Sequence, residues 1–115
     1  MDTVTYPDPR TSEFVHRYMI PLRAYTNSLP AWAARFVIQY TPTVLTLDDD
    51  GKEHHRTVGF LPPEEFIPSL MLGIGKSHFD ARQFTKARLI LEWLLTEFSR
   101  SQAAAPASDL KRNIS

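Results

Sequence analysis

Apolar residues in the C-terminal half of the chain recur at helical spacing, mostly at steps of three and four positions. A first run comprises Phe66, Leu70, Ile74 and Phe79, and a second comprises Phe84, Ala87, Leu91, Leu94 and Phe98. Because residues at this spacing share one face of a helix, each run predicts an amphipathic helix. The break at 80–83 predicts that the two helices form an antiparallel αα-hairpin.

The middle of the chain has a different pattern. Thr43 to Leu47 are strand formers, Asp48 to Gly51 are turn formers, and a second run extends from Glu53 to Phe60. This order predicts a β-hairpin. The Pro-Pro-Glu-Glu sequence at 62–65 then predicts a helix start, because proline is tolerated there and carboxylates favour that end of the helix dipole.

The N-terminal region gives weaker patterns. Asp8-Pro9 predicts the start of a helix that has Phe14, Val15 and Tyr18 on its apolar face. Residues 18–25 read as an extended run, although Pro21 cannot donate to a strand ladder. Asn27-Ser28 predicts the cap of a further helix, with apolar residues at Leu29, Trp32, Ala33, Phe36 and Val37. Residues 102–115 have little to bury and are predicted to be a disordered tail.

Composition limits the class of partner. The 115 residues suffice for one core, and 13 basic residues balance 13 acidic ones, which gives a formal net charge of zero. No electrostatic field is therefore available to recruit nucleic acid or an anionic membrane. The N-terminus lacks the pattern of a secretory signal, and the richest apolar run is too short to cross a bilayer. These features predict a soluble, cytoplasmic protein.

Four stretches carry a resemblance to a known fold: TYPDP (5–9), ARF (34–36), YTPTVLTLDDDGKE (40–53) and VGFLPPEEFIPSL (58–70). Over residues 1–72 their order resembles the thioredoxin family from just after its first helix has begun. The resemblance implies an α/β fold with a truncated, three-stranded mixed sheet and flanking helices. It also implies a cis peptide bond between Thr41 and Pro42.

The resemblance places both the Cys-X-X-Cys motif of that family and the strand before it upstream of Met1. That strand is central in the family's sheet, so its loss leaves unpaired backbone groups beside residues 18–25 and 43–48. Three remedies are open: pairing of 18–25 with 43–48, insertion of the N-terminal residues as a strand, or a strand from another chain. The chain is a short variant, a fragment or the product of a misassigned start codon, and the sequence does not distinguish these.

Residues 69–101 resemble a tetratricopeptide repeat. Gly75, Phe79, Phe84, Ala87 and Leu91 match the motif's small and large positions, whereas Arg82 stands where glycine is usual and Ser99 where proline is usual. The sequence thus predicts an incomplete thioredoxin-like domain at 1–72, on which a helical hairpin at 69–101 packs. Because such repeats normally stack, a single copy leaves one face uncovered.

The candidate chemistry is sparse. No cysteine is present, so thiol–disulfide exchange is excluded for these residues, and no other catalytic constellation stands out. Adjacent strand residues point to opposite faces, so His54 and His55 are not expected to chelate one metal ion. Asp48 to Gly51 lacks the spacing and the distal glutamate of a calcium loop. No enzyme activity, cofactor or metal is predicted.

The function predicted is a non-catalytic protein- or peptide-interaction module, with self-association as one form of it. The first candidate site is Tyr40, Thr41, Pro42 and Thr43, where the family pairs with extended peptides; the competing interpretation is a purely structural turn. The second is Leu89 and Trp93, on the face that a following repeat would cover; the competing interpretation is that packing on the sheet hides both. The alternative function is a truncated thiol–disulfide oxidoreductase.

Overall fold

The computed structural model describes residues 1–24, 31–38 and 42–114. Within these ranges, five helices and two strands follow one another in the order α1 (Pro9–Tyr18), α2 (Ala31–Ala34), β1 (Thr43–Leu47), β2 (Glu53–Val58), α3 (Pro63–Asp80), α4 (Phe84–Glu97) and α5 (Ala104–Arg112). The predicted mixed α/β class is confirmed. None of the helices in these ranges combines the length and apolar character needed to cross a membrane.

The predicted β-hairpin is present. β1 and β2 pair antiparallel, from Thr43 opposite Val58 to Leu47 opposite Glu53, and the register shifts after Thr46. The shift leaves His54 as an extra residue, the arrangement of a β-bulge. At the turn, the Asp48 carbonyl accepts from the Gly51 N–H at 2.9 Å, and Gly51 has a φ of 80°, which glycine adopts without strain.

The predicted αα-hairpin is also present. α3 begins at Pro63, α4 begins at Phe84, and the two helices pack against each other. A side chain at Gly75 would clash with Leu91, because the Cβ position lies 2.8 Å from a Leu91 methyl carbon. Arg82, in the connecting turn, has a φ of 60°, a left-handed conformation in which glycine is preferred.

The core lies between α3, α4, α1 and α5. Its buried members are Phe14, Phe66, Ile67, Leu70, Met71, Leu72, Ile90, Leu91, Leu94, Ala103, Ala104 and Ala107. α3 is the central element, since it contacts both strands and all three other helices of this set. One continuous cluster therefore joins the domain predicted at 1–72 to the helical hairpin predicted at 69–101.

The prediction of a third strand is wrong for the residues that the structure describes. The sheet there contains β1 and β2 alone, Tyr18 ends α1, and residues 19–24 lie in neither a helix nor a strand. Two physical reasons oppose a strand: Pro21 has no N–H to donate, and Ile20 and Leu22, which are 89% and 73% exposed, do not face the core.

Two of the three predicted remedies for the missing central strand fail in the same part of the molecule, and a strand from another chain stays a prediction. Residues 18–24 do not pair with β1, and residues 1–8 form turns before α1. Residue 25 lies outside the described ranges. The further helix predicted after Asn27-Ser28 is represented by the single turn of α2, and residues 27–30 also lie outside them.

The prediction of a disordered tail at 102–115 is wrong, because α5 occupies Ala104–Arg112. The composition of this segment predicts little burial, yet Ala103, Ala104 and Ala107 are all buried against the core. Their small side chains let the α5 backbone approach α3 and α4 closely. Lys111 also reaches Glu92 on α4, with a Nζ to Oε1 distance of 3.6 Å.

Candidate interaction surface

A groove of about 330 Å³ lies where α4 meets α1 and α3. We call it the α4 groove, and its lining residues are Tyr18, Ile74, His78, Lys86, Leu89, Ile90 and Trp93. Leu89 is 64% exposed and Tyr18 is 47% exposed. Large apolar side chains that line one concavity and remain open to water are typical of a surface that contacts another protein.

Aromatic packing holds one wall of the groove in place. Trp93 contacts Phe14 and Tyr18, with ring centroids 5.8 Å and 5.5 Å apart, and the Phe14 and Tyr18 rings are 5.0 Å apart. Phe14 is itself buried in the core. Because the indole is fixed between two rings of α1, a ligand would meet a preformed wall and would lose little entropy in ordering it.

Lys86 gives the lining of the groove a positive charge, and among the described residues no aspartate or glutamate lines it. The His78 ring is oriented by a hydrogen bond of 2.8 Å between Nδ1 and Oε1 of Gln83. Lys86 is exposed, and its ammonium forms no ion pair with the carboxylates of the described residues. The groove thus combines an apolar floor with a cation that no described carboxylate pairs with.

Leu89 and Trp93 both line this groove, but they differ in burial. Leu89 is exposed, whereas Trp93 is partly buried against α1, so neither of the two competing interpretations describes both residues. Sequence reasoning missed Lys86, which lies three positions before Leu89 on the same face of α4, a spacing that could have revealed it. It also missed Tyr18 and Ile74, because no sequence pattern links three helices.

The candidate peptide site is only partly visible. Tyr40 and Thr41 lie outside the described residues, so the cis bond predicted before Pro42 does too. The Pro42 carbonyl accepts from the Gly59 N–H at 2.8 Å, and Thr43 opens β1 opposite Val58. Since proline has no N–H and this carbonyl is already bonded within the hairpin, the Pro42 backbone has little left to offer a peptide. The peptide site stays a prediction.

A second cluster, which we call the His54 clamp, joins the hairpin turn to the end of α3. His54 Nε2 lies 2.8 Å from Asp48 Oδ2, and His54 Nδ1 lies 2.6 Å from Asp80 Oδ2. The His54 side chain is 3% exposed. Because a nitrogen needs a proton to bond to a carboxylate, two such contacts favour the doubly protonated imidazolium.

The pKa values of the clamp follow from its geometry. Burial lowers the pKa of His54, but the hydrogen bonds to Asp48 and Asp80 outweigh burial and raise it above its ordinary value. The hydrogen bond from His54, followed by that from the Lys52 N–H, lowers the pKa of Asp48. The imidazolium also lies beside the C-terminal end of α3, where the helix dipole favours a cation.

A third cluster lies between the hairpin and α3. His55 Nε2 is 3.1 Å from Ser69 Oγ, Ser69 Oγ is 2.7 Å from Thr57 Oγ1, and Lys76 Nζ is 3.0 Å from His55 Nδ1. Burial, and then the charge of Lys76, lowers the pKa of His55 to about 4. The imidazole is therefore neutral near pH 7. Sequence reasoning did not foresee this serine–histidine pair.

The direction of the hydrogen bonds argues against activation of Ser69. The Lys76 ammonium donates to Nδ1 of His55, so the single imidazole proton resides on Nε2, which donates to the Ser69 hydroxyl. A general base must instead accept the proton of the nucleophile. The cluster therefore satisfies the hydroxyls of Ser69 and Thr57 between two packed elements.

The two neighbouring histidines have different hydrogen-bond partners: His54 contacts Asp48 and Asp80, whereas His55 contacts Ser69 and Lys76. Among the residues within the described ranges, no group of three or more His, Asp or Glu side chains is arranged to hold a metal ion. The Asp48 carboxylate accepts from the Asp50 and Lys52 N–H groups at 2.9 and 3.0 Å, which are bonds of a hairpin turn.

Comparison of the chain with protein-family models, with curated proteins and with solved structures gives no match. The resemblances to the thioredoxin family and to the tetratricopeptide repeat stay predictions.

Proposed function

We propose that this protein is a non-catalytic interaction module that binds a protein segment in the α4 groove. The observation that carries the proposal is the exposure of Leu89, 64%, at the edge of a groove that also contains Tyr18 and Trp93. Fully burying an exposed leucine contributes about 1.5–3 kcal/mol, and Leu89, already partly covered, would contribute less; tryptophan and tyrosine are enriched among the residues that dominate binding energy.

The chemistry of the groove defines the segment it would accept. A segment that fills the groove would place one or two apolar side chains on its floor and a carboxylate beside Lys86. An amphipathic helix that carries an acidic residue next to its apolar face meets both requirements. Nucleic acid fits less well, because the chain has no net positive charge and the groove presents few cations.

The direction of the hydrogen bonds in the His55 cluster supports the non-catalytic part of the proposal. The chain contains no cysteine, and in the His55 cluster the histidine donates to Ser69 instead of accepting from it. The thioredoxin-like fold and a cytoplasmic location, both predicted from the sequence, are compatible with such a module and belong to the same proposal.

Site-specific photo-crosslinking in the cells that produce the protein tests this function. A photoreactive phenylalanine analogue at position 89 should yield covalent adducts, because this side chain faces the bound segment. The same analogue at position 88 is the matched control, since Arg88 is also exposed but points away from the groove. Mass spectrometry of the adducts identifies the bound segment and shows whether it belongs to this chain or to another protein.

Adducts at position 89 that are absent at position 88 are the expected result. Equal adduct yields at both positions, or none at position 89, would overturn the proposed function.

A further inference from the structure

We propose that the segment bound in the α4 groove is α4 of a second copy of this chain, and that the two α4 helices run antiparallel. This inference rests on the proposed function and names its partner. A second copy is favoured over a helix of another protein because α4 carries a positive charge near its start and a negative charge at its end. When a second α4 runs in the opposite direction, each charge meets the opposite one.

Four residues define what we call the α4 stripe: Lys86, Leu89, Trp93 and Glu97. They recur at steps of three, four and four along the helix and so share one face of it. The buried face of α4, formed by Ala87, Leu91 and Leu94, points into the core. The stripe lies beside that buried face, where the α4 groove opens.

The two ends of the stripe carry opposite charges. Each charge lies at the end of α4 where the helix dipole disfavours it. Lys86 lies in the first turn of α4, at the positive end of the dipole, and Glu97 is the last residue, at the negative end. Both are exposed, and neither pairs with an oppositely charged side chain of the described residues. Glu92, away from the stripe, does find a partner in Lys111.

A second α4 that runs antiparallel would place an opposite charge beside both Lys86 and Glu97. The midpoint of Leu89 and Trp93 is position 91, and the midpoint of Lys86 and Glu97 lies between 91 and 92. A two-fold axis near Leu91 therefore places Leu89 of each copy opposite Trp93 of the other, and Lys86 opposite Glu97. The opposed helix dipoles also compensate each other. A parallel arrangement would bring like charges together.

The size of the stripe predicts weak association. Lys86 to Glu97 spans about 16 Å of helix, and a standard interface buries about 800 Å² on each partner, more than one such stripe supplies. Tyr18 and Ile74 extend the contact across the groove. Dimers should therefore form only at high concentration and should dissociate in high salt, because the end pairs are exposed.

Sedimentation equilibrium of the purified chain from about 10 μM to 1 mM tests the proposal, a range that covers weak complexes. Wild type should show a monomer–dimer equilibrium. Lys86→Glu and Glu97→Lys should each raise the dissociation constant about tenfold or more, because each puts like charges at both ends of the interface. Arg88→Glu is the matched control: it makes the same charge change on another face and should leave the constant unchanged.

A mixing experiment tests whether charge pairing at the ends of the stripe drives the association. In an equimolar mixture of Lys86→Glu and Glu97→Lys, the contact of position 86 with position 97 is attractive at both ends of the heterodimer. The mixture should therefore associate although neither variant does alone. Circular dichroism of each variant verifies that the helices remain folded.

Two results would overturn the inference: a wild type that stays monomeric at the highest concentration, or a mixture that does not associate. Neither result removes the proposed function, because the position-89 adducts of the crosslinking experiment would then identify a different protein. Failure of the proposed function shows instead as the loss of those adducts.

Discussion

At the scale of single residues, adjacent positions 54 and 55 show how far tertiary contacts change the pKa values of chemically identical side chains. His54 is held between two carboxylates, which raises its pKa, whereas His55 is buried beside Lys76, which lowers its pKa to about 4. The contributions of these residues to stability therefore depend on pH in opposite directions.

The signs follow from the two protonation equilibria. The contribution of His54 is fully present below its ordinary pKa of 6.5 and is lost as the pH rises through the higher folded value. That of His55 is present above 6.5 and is lost as the pH falls toward about 4, where the unfolded chain gains a proton first. For His55 the loss is at most about 3 kcal/mol.

Urea unfolding between about pH 5 and 9 measures both effects. His54→Gln should flatten the decline of the unfolding free energy on the alkaline side, and His55→Gln should flatten the decline on the acidic side. Each variant serves as the control for the other. Identical pH profiles for the two variants would contradict the assignment of opposite environments.

At the scale of elements, the hairpin docks on α3 through a glycine. A side chain at Gly73 would come within 2.9 Å of the Thr46 Cβ and 3.2 Å of the His55 Cβ. The Thr46 Cβ is fixed by the backbone of β1 and cannot move aside by a change of rotamer. Gly73 therefore sets the distance between the sheet and the helix.

Gly73→Ala should destabilise the protein by about 1–3 kcal/mol through overpacking, although alanine is the better helix former. Ser77→Ala, one turn later in the same helix, should stay within about 0.5 kcal/mol of wild type. Urea unfolding gives both values, and amide hydrogen exchange should rise most in β1 and β2. Stabilisation by Gly73→Ala would show that the sheet does not rest on this position.

The elements were predicted unevenly, for reasons that lie in their patterns. α3 and α4 carry a strong three- and four-residue period, and the hairpin has both strand formers and a turn that requires Gly51, so local sequence sufficed for these elements. The strand predicted at 18–25 relied on a short run that contains Pro21. In the described residues 19–24, nothing covers Ile20 and Leu22, and no strand forms.

At the scale of the whole molecule, α5 completes the core on the side of α3 and α4. Ala107 is fully buried, whereas Ala105, two positions earlier in the same helix, is exposed. The alanines of α5 each bury little area. The helix contributes instead by covering Leu91 and Leu94, which are fully buried in the folded chain.

Ala107→Glu should destabilise the protein by about 3 kcal/mol or more, because it buries a charge that has no partner. Ala105→Glu makes the same change on the exposed side of α5 and should cost less than about 0.5 kcal/mol. Thermal and urea unfolding measure the difference. Equal stability of the two variants would mean that residues 104–112 do not pack on the core.

The candidate surface was also predictable only in part. The sequence predicts Leu89 and Trp93 as candidates because they lie outside the buried stripe of α4 at helical spacing, and both line the groove. Tyr18 and Ile74 were not predicted, because their proximity to α4 depends on how α1 and α3 pack. The same limitation applies to the His54 clamp, in which Asp48 and Asp80 belong to distant parts of the chain.

The sequence by itself determined the local structure of the hairpin, the boundaries of α3 and α4 and the charge order of the α4 stripe, because side-chain period and turn chemistry act between near neighbours. Tertiary structure alone decided that the alanines of α5 join the core, that the pKa values of two adjacent histidines shift in opposite directions, and that Leu89 stays exposed beside Trp93. Those outcomes depend on which surfaces meet, and burial and desolvation are set by contacts between residues far apart in the chain.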